Sequence, residues 1–265
     1  MNYQLLDSGA EQKLEQFGDY IIARPCSAAI WKKQNPQKWE KAHAHFNRDK
    51  GWSGSLPNEW RVEVHGVKMK LAPTDFGHLG TFPEHGHLWD SLRPFCRGGS
   101  VLNLFAYSGG ATLAFAQEGA TVCHLDASNG MVDWARDNAK INHLEDRPIR
   151  WIVDDALKFL KREVKRGRFY DGILLDPPTF GRGAKGEVFQ IEKDLLPLLE
   201  LCRSLLSPHA RFLTLSCHTP GITPLALSHL FRQIFPKAKI EAGELLLTGP
   251  NTLSIPSGTF AKVLL

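Results

Sequence analysis

The chain reads as an α/β protein: a mostly parallel sheet with helices on both faces and an antiparallel last strand, preceded by a small β-rich module. Three observations predict this. After residue 73, short apolar runs alternate with segments of helical length and period, the pattern of a parallel sheet built through right-handed crossovers. The last two apolar runs, 239–247 and 259–265, are joined by a Gly/Pro-rich loop with no helix, so they should pair antiparallel. Before residue 73 the runs are short and alternate in polarity, and four of the seven tryptophans (31, 39, 52, 60) fall there. The expected division is a β-rich module over 1–72 and an α/β domain over 73–265. No internal repeat or low-complexity tract is visible.

Composition bounds the function classes. The 265 residues are 43% hydrophobic and 23% charged with both signs mixed, which excludes a disordered chain and suits one or two domains. No uncharged apolar window is long enough to span a membrane, and MNYQLLDSGAEQKLEQ lacks the basic-then-apolar order of a secretory signal. The five cysteines form no CxxC, so reduced thiols in a cytoplasmic protein are expected, and no zinc ribbon or disulfide scaffold. The pairs His43/His45 and His85/His87 have no supporting carboxylate or cysteine cluster, so no metal is expected. A net charge of +4 permits a polyanionic partner. Two basic stretches, 31–50 and 158–168, are either solvated faces or phosphate-contacting patches.

Taken in order, the module should hold strands at 20–24 and 28–31 and a hairpin, RVEVH and VKMKL, turning at Gly66. The domain should run strand 101–106, helix 110–118, strand 121–126, helix 129–142, strand 149–153, helix 156–166, strand 169–176, helix 191–206, strand 211–217 and helix 224–235. In such sheets a ligand binds at the carboxyl ends of the strands. The residues that end strands are therefore the ones to inspect.

The first strand ends in Asn103-Leu-Phe-Ala-Tyr107-Ser108-Gly109-Gly110, a glycine turn that lets a ligand approach backbone and helix N–H groups. It departs from GxGxxG, which argues against a dinucleotide. The second strand ends at Asp126, seventeen residues after Gly109, where a carboxylate can accept both ribose hydroxyls, or else cap the next helix with Ser128 as rival cap. The third ends at Asp154-Asp155, of which one can take a purine amino group while the other caps the basic helix. The fourth ends at Asp176-Pro177-Pro178-Thr179-Phe180. Its doubled proline removes two N–H donors and fixes an extended exit, leaving carbonyls for a planar group on which Phe180 can stack.

VLNLFAYSGGAT, HLDAS, VDDALKFL and LLDPPTF together resemble the class I S-adenosylmethionine-dependent methyltransferases, with their Rossmann-like sheet, over about residues 76–265. The closer likeness is to bacterial large-subunit rRNA methyltransferases of the 5-methylcytosine and 7-methylguanine types. The resemblance implies S-adenosylmethionine as cofactor and RNA as partner. It further implies that Phe82 and Glu84 touch the adenosine or methionine part. Tyr107 and Gly109 would lie against the methionine portion and Asp126 at the ribose, with Phe105, Ala127 and Ser128 also binding the cofactor. Asp155 with Ala156 would hold the adenine, Asp176 the target base beside the cofactor, and Pro177, Pro178 and Phe180 the substrate.

The acceptor atom turns on one residue. Guanine N7 has its own lone pair, whereas cytosine C5 needs a thiolate to add at C6 first. Cys217, in Leu215-Ser216-Cys217-His218, matches the place of that nucleophile in the cytosine-C5 relatives, and His218 could lower its pKa. The alternative is a small buried core cysteine. The preference falls on cytosine C5, although DPPTF is nearer to the guanine-N7 group and 1–72 does not spell the PUA module of the C5 group. A non-RNA acceptor stays open, as do a nicotinamide oxidoreductase and a non-catalytic RNA scaffold, against which DPP and the retained acidic strand ends argue. The loop 181–190, with Arg182 and Lys185, is expected to act as a substrate lid.

Overall fold

A computed structural model describes residues 3–183 and 186–265. The chain packs as two units, Met1–His87 with Leu245–Ser257, and Leu88–Glu244 with Gly258–Leu265. No helix among the described residues is long and apolar enough to cross a membrane.

The first unit carries β1 (Tyr3–Gly9), β2 (Gln12–Phe17), β3 (Tyr20–Pro25), the short helix α1 (Pro36–Trp39), β4 (Ala44–Asn47) and β5 (Gly51–Gly54). They form a sheet in the order β1-β2-β3-β4-β5, in which only β3 and β4 run parallel. β1 and β2 escaped the sequence reading because YQLLDSG and QKLEQF contain no Val, Ile or Thr to mark a strand. The strand expected at 28–31 is absent. Its carbonyls instead accept the β1–β2 turn, Ala10 N–H to Trp31 O at 2.6 Å and Glu11 N–H to Ala29 O at 2.8 Å. β6 (Trp60–Val64) and β7 (Val67–Leu71) form the expected hairpin, with left-handed φ at both His65 (48°) and Gly66 (76°), the geometry of a two-residue hairpin turn. Trp39 closes the sheet against Leu14 and Ala23, and its indole N–H reaches Asp7 Oδ2 at 2.8 Å.

Next come α2 (Gly86–Leu92), β8 (Ser100–Leu104), α3 (Gly110–Gln117), β9 (Thr121–Asp126), α4 (Asn129–Ile141), β10 (Ile149–Val153), α5 (Ala156–Lys165), β11 (Gly172–Leu175), β12 (Phe180–Arg182), β13 (Val188–Gln190), α6 (Ile191–Ser204), β14 (Phe212–Cys217), α7 (Pro224–Ile234), β15 (Ile240–Leu247) and β16 (Ile255–Leu264). The main sheet has the order β10-β9-β8-β11-β14-β16-β15. Strands β8, β9, β10, β11 and β14 are parallel, and β16 runs antiparallel to β14. This is the expected fold class. The order reverses between β8 and β11, so their carboxyl ends flank the crevice.

Helix α5 shows where the basic stretch 158–168 goes. Glu163 is fully buried and accepts Arg150 at 2.9 Å, Arg166 at 3.0 Å and the Tyr170 hydroxyl at 2.6 Å. Arg162 pairs with Asp154, and Lys158 with Glu187. Half of the cations are thus matched within the protein; Lys161, Lys165 and Arg168 remain exposed. The loop expected at 181–190 is instead the antiparallel β12–β13 hairpin, with Arg182 in β12, while Lys185 lies outside the described residues.

Candidate active site

After Leu104 the chain turns sharply. Phe105 (φ 56°), Tyr107 (φ 50°) and Gly109 (φ 89°) all occupy the left-handed region. Two of these carry side chains, at a cost of about 1–2 kcal/mol each. The turn is held by Ala106 N–H to Leu125 O at 3.0 Å, Gly109 N–H to Ala106 O at 3.0 Å and Tyr107 N–H to Asp126 Oδ2 at 2.9 Å. At Gly109 a Cβ would lie 2.9 Å from Ala135 Cβ, so helix α3 starts where no side chain fits. Its first N–H groups have no partner within the helix and face the strand ends.

Beneath this turn lies a buried relay that sequence reasoning missed. Asn103 donates to Thr112 Oγ1 at 2.9 Å, and Thr112 Oγ1 lies 2.9 Å from His124 Nδ1. Burial pushes the His124 pKa down to about 3, so the imidazole is neutral and shares a single proton with the Thr112 hydroxyl across this contact. The periodicity of β8 and β9 carried the signal: polar residues at inward strand positions need partners.

Asp126 ends β9. Its Oδ1 accepts Ser128 N–H and its Oδ2 accepts Tyr107 N–H, both at 2.9 Å. Burial raises its pKa, and these backbone bonds offset that only in part. It does not cap α4; Ser128 does, through Met131 N–H at 3.4 Å. Ala127 between them is half-buried. At the end of β10, Asp155 is the cap of α5, accepting Lys158 N–H at 2.8 Å on Oδ1. Asp154 is spent on Arg162 and on the Asp155 N–H. Ala156, buried, opens the helix.

Asp176 follows β11. Its Oδ1 accepts the Ser216 hydroxyl at 2.7 Å, and His218 Nδ1 lies 3.4 Å away. Pro177 is buried and Pro178 exposed; Thr179 Oγ1 and Thr219 Oγ1 are 2.8 Å apart. Ser216 and His218 were passed over as site residues, yet the two-residue period of β14 puts them on the Asp176 side and Cys217 on the opposite face. Cys217 is 1% exposed within the main core cluster. Burial raises its pKa, the nearby Asp176 adds to this, and bonds from Thr219 only oppose it. The expectation that His218 lowers the thiol pKa is therefore reversed: the imidazole faces Asp176, and the thiol is held neutral.

Phe105, Tyr107, Gly109, Asp126, Ala127, Ser128, Asp155, Ala156, Asp176, Pro177, Pro178, Phe180 and Cys217 all belong to the second unit. Phe82 and Glu84 belong to the first. There Phe82 packs on His78 with centroids 5.2 Å apart, and Glu84 is buried and accepts the Ser257 hydroxyl at 2.8 Å.

Comparison with known proteins gives this arrangement a context. A family profile described as S-adenosylmethionine-dependent methyltransferase matches residues 41–236. A SAM-dependent methyltransferase from Agrobacterium tumefaciens of known structure is 36% identical, covering 100% of this chain and 90% of that one, with a TM-score of 0.95. A SAM-dependent methyltransferase from Streptococcus mutans, 17% identical over 100% of this chain and 75% of its own, shares the fold with a TM-score of 0.80. Among curated proteins, the ribosomal RNA large subunit methyltransferase K/L of Syntrophotalea carbinolica is 36% identical over 137 residues. That match takes in 51% of this chain and 19% of the relative, so the chain spans about a fifth of the length of such relatives.

The strand-end residues fit S-adenosylmethionine. Each Asp126 oxygen has accepted one N–H and keeps a lone pair for a ribose hydroxyl. Asp155 Oδ2 carries no hydrogen bond among the described residues, and suits an adenine amino group. Desolvation raises the pKa of the half-buried Asp126 beyond what its backbone donors offset, and two hydroxyls would supply further donors.

Proposed function

The chain belongs to the S-adenosylmethionine-dependent methyltransferase family, and from that premise we propose that it methylates a base of ribosomal RNA at a ring nitrogen, guanine N7 in the first instance. The observation that carries the choice of atom is the state of Cys217, fully buried with its thiol pKa raised. A neutral thiol facing the core is a poor nucleophile toward cytosine C6. A ring nitrogen with its own lone pair needs no such help. The choice of ribosomal RNA is supported by the relatives named as large-subunit methyltransferases, whose matches reach 200 residues of this chain.

When bound, the cofactor supplies an electrophilic methyl on a sulfonium. The protein's own work is then positioning in a site short of water. Asp126 and Asp155 hold the nucleoside part. Pro177 and Pro178 offer carbonyls without competing N–H donors, so a planar base can lie against the strand exit. Asp176, oriented by Ser216 and flanked by His218, accepts from the Watson–Crick edge of that base and fixes its ring nitrogen in line with the methyl.

The test is to supply large-subunit RNA with cofactor labelled in its methyl group, digest the product and identify the labelled nucleoside, with wild type and Cys217→Ser side by side. Labelled 7-methylguanosine from both is the expected result, with Cys217→Ser losing about 1 kcal/mol of stability from packing. Labelled 5-methylcytidine that disappears in Cys217→Ser, together with covalent trapping by 5-fluorocytosine RNA, would overturn the nitrogen assignment. No transfer to any RNA would overturn the RNA assignment.

A further inference from the structure

We propose that the outward face of the β12–β13 hairpin is a docking surface for single-stranded RNA, stacking a nucleotide that flanks the target base. This rests on the reading of RNA as acceptor. The register pairs Phe180 with Gln190, Gly181 with Phe189 and Arg182 with Val188. Alternation then puts Phe180, Arg182, Val188 and Gln190 on one face, and Gly181 and Phe189 on the other. The inner face is anchored. Phe189 is buried against Phe105, ring centroids 5.4 Å apart, and a Cβ on Gly181 would lie 3.3 Å from Pro178 Cγ. Glu187 ties the hairpin to Lys158 of α5 at 2.5 Å. The ribbon is thus a fixed ledge beside the Asp-Pro-Pro strand exit.

Its outer face is unspent. Phe180 is 49% and Val188 51% exposed, and the Arg182 guanidinium sits 5.7 Å from the centre of the Phe180 ring. An exposed aromatic face with a cation at its side matches a nucleotide: the base stacks on the ring, and the phosphate meets the guanidinium. The positive charge continues along α5, where Lys161 and Lys165 lie three and seven residues after Lys158, on the same stripe. Both are exposed, with no carboxylate partner among the described residues. An RNA strand crossing the hairpin therefore meets cations beyond it, whereas an apolar partner would have to bury Arg182. Phe180 is accordingly assigned to a neighbouring base, since its ring lies on the outward face of the hairpin.

The experiment measures anisotropy of a short labelled single-stranded RNA against the full chain, with S-adenosylmethionine affinity by calorimetry as the check on folding. Phe180→Ala should weaken RNA binding roughly 5- to 150-fold, the range for one base stacked on an aromatic side chain. Arg182→Ala should lower the slope of log K against log salt by about 0.7, one single-strand phosphate contact. Both should bind the cofactor as wild type does. If Phe180→Ala binds cofactor poorly, Phe180→Leu, which keeps the apolar bulk, replaces it with the same expected loss of RNA. RNA affinity unchanged in these variants overturns the hairpin surface alone, and so does equal affinity for a blunt duplex, whose base faces are hidden. A wild type that binds no RNA, or an acidic peptide in its place, overturns both this surface and the RNA reading beneath it.

Discussion

Two carboxylates, the buried Glu163 and the half-buried Asp126, lie in the same unit and are treated in opposite ways. Burial alone would raise both. At Glu163, hydrogen bonds from Tyr170, Arg150 and Arg166 overcome it and hold the carboxyl below its ordinary range. At Asp126 the donors among the described residues are backbone N–H groups, and desolvation wins. The difference lies in what each carboxylate has left. Glu163 is saturated by charged and hydroxyl side chains, so it clamps α5 to β10 and can do nothing else. Asp126 carries a charge that backbone donors only partly offset, and a ligand with hydroxyl donors would relieve that. On the reading proposed above, a carboxylate served only by backbone among the described residues is the one that meets a ligand, and one served by arginines is a joint.

The contrast can be broken from either side. The largest effect is expected at Asp126→Ala: loss of two charge-assisted hydrogen bonds should weaken S-adenosylmethionine by about 3 kcal/mol or more, above a hundredfold in Kd by calorimetry. An unchanged Kd removes Asp126 from the site. Next, Glu163→Ala should lower unfolding stability by about 2–4 kcal/mol, because the Tyr170 hydroxyl loses its buried acceptor. Its cofactor affinity should stay within about twofold of wild type, since the joint touches no ligand. A larger loss of affinity would erase the distinction drawn above.

Acid sharpens the same comparison. The folded pKa of Glu163 is depressed, so its contribution to stability is present above the ordinary glutamate value and is lost as pH falls through the folded one. The folded pKa of Asp126 is raised, so its contribution is present below the ordinary aspartate value and is lost as pH rises through the folded one. Cofactor binding favours ionised Asp126, and Kd should therefore weaken on acidification while the pH is still above the ordinary aspartate range. In Asp126→Asn that pH dependence should vanish, as read by calorimetry across the acid limb. The smallest effect is expected at Lys158→Ala. Its lysine is about half exposed, so loss of the pair with Glu187 should change denaturant unfolding by about 0.5 kcal/mol or less.

Apart from the β12–β13 hairpin, the order of the strands and helices from 100 to 264 was legible because β8, β9, β10 and β14 are apolar runs cut by glycine, proline and capping residues. The strand-end residues Asp126, Asp155 and Asp176 were legible for the same reason, since a parallel sheet delivers every strand end to one edge. The five-stranded sheet of the first unit was only partly readable. Gln and Glu occupy positions in β1 and β2 where a local pattern would place β-branched residues, and Tyr3, Glu15 and Arg24 pay for this by bonding one another across the sheet at 3.2 and 2.8 Å. Cys217 shows the limit most clearly. Its place at a strand end beside a histidine was plain from the sequence, but the face it takes depends on the pairing of β14 with β11 and β16. A one-residue difference in register would have exchanged it with Ser216. Which residues end strands is a local matter of turns and periodicity. Which side chains meet there, and what burial does to their protons, is set by partners far apart in the chain.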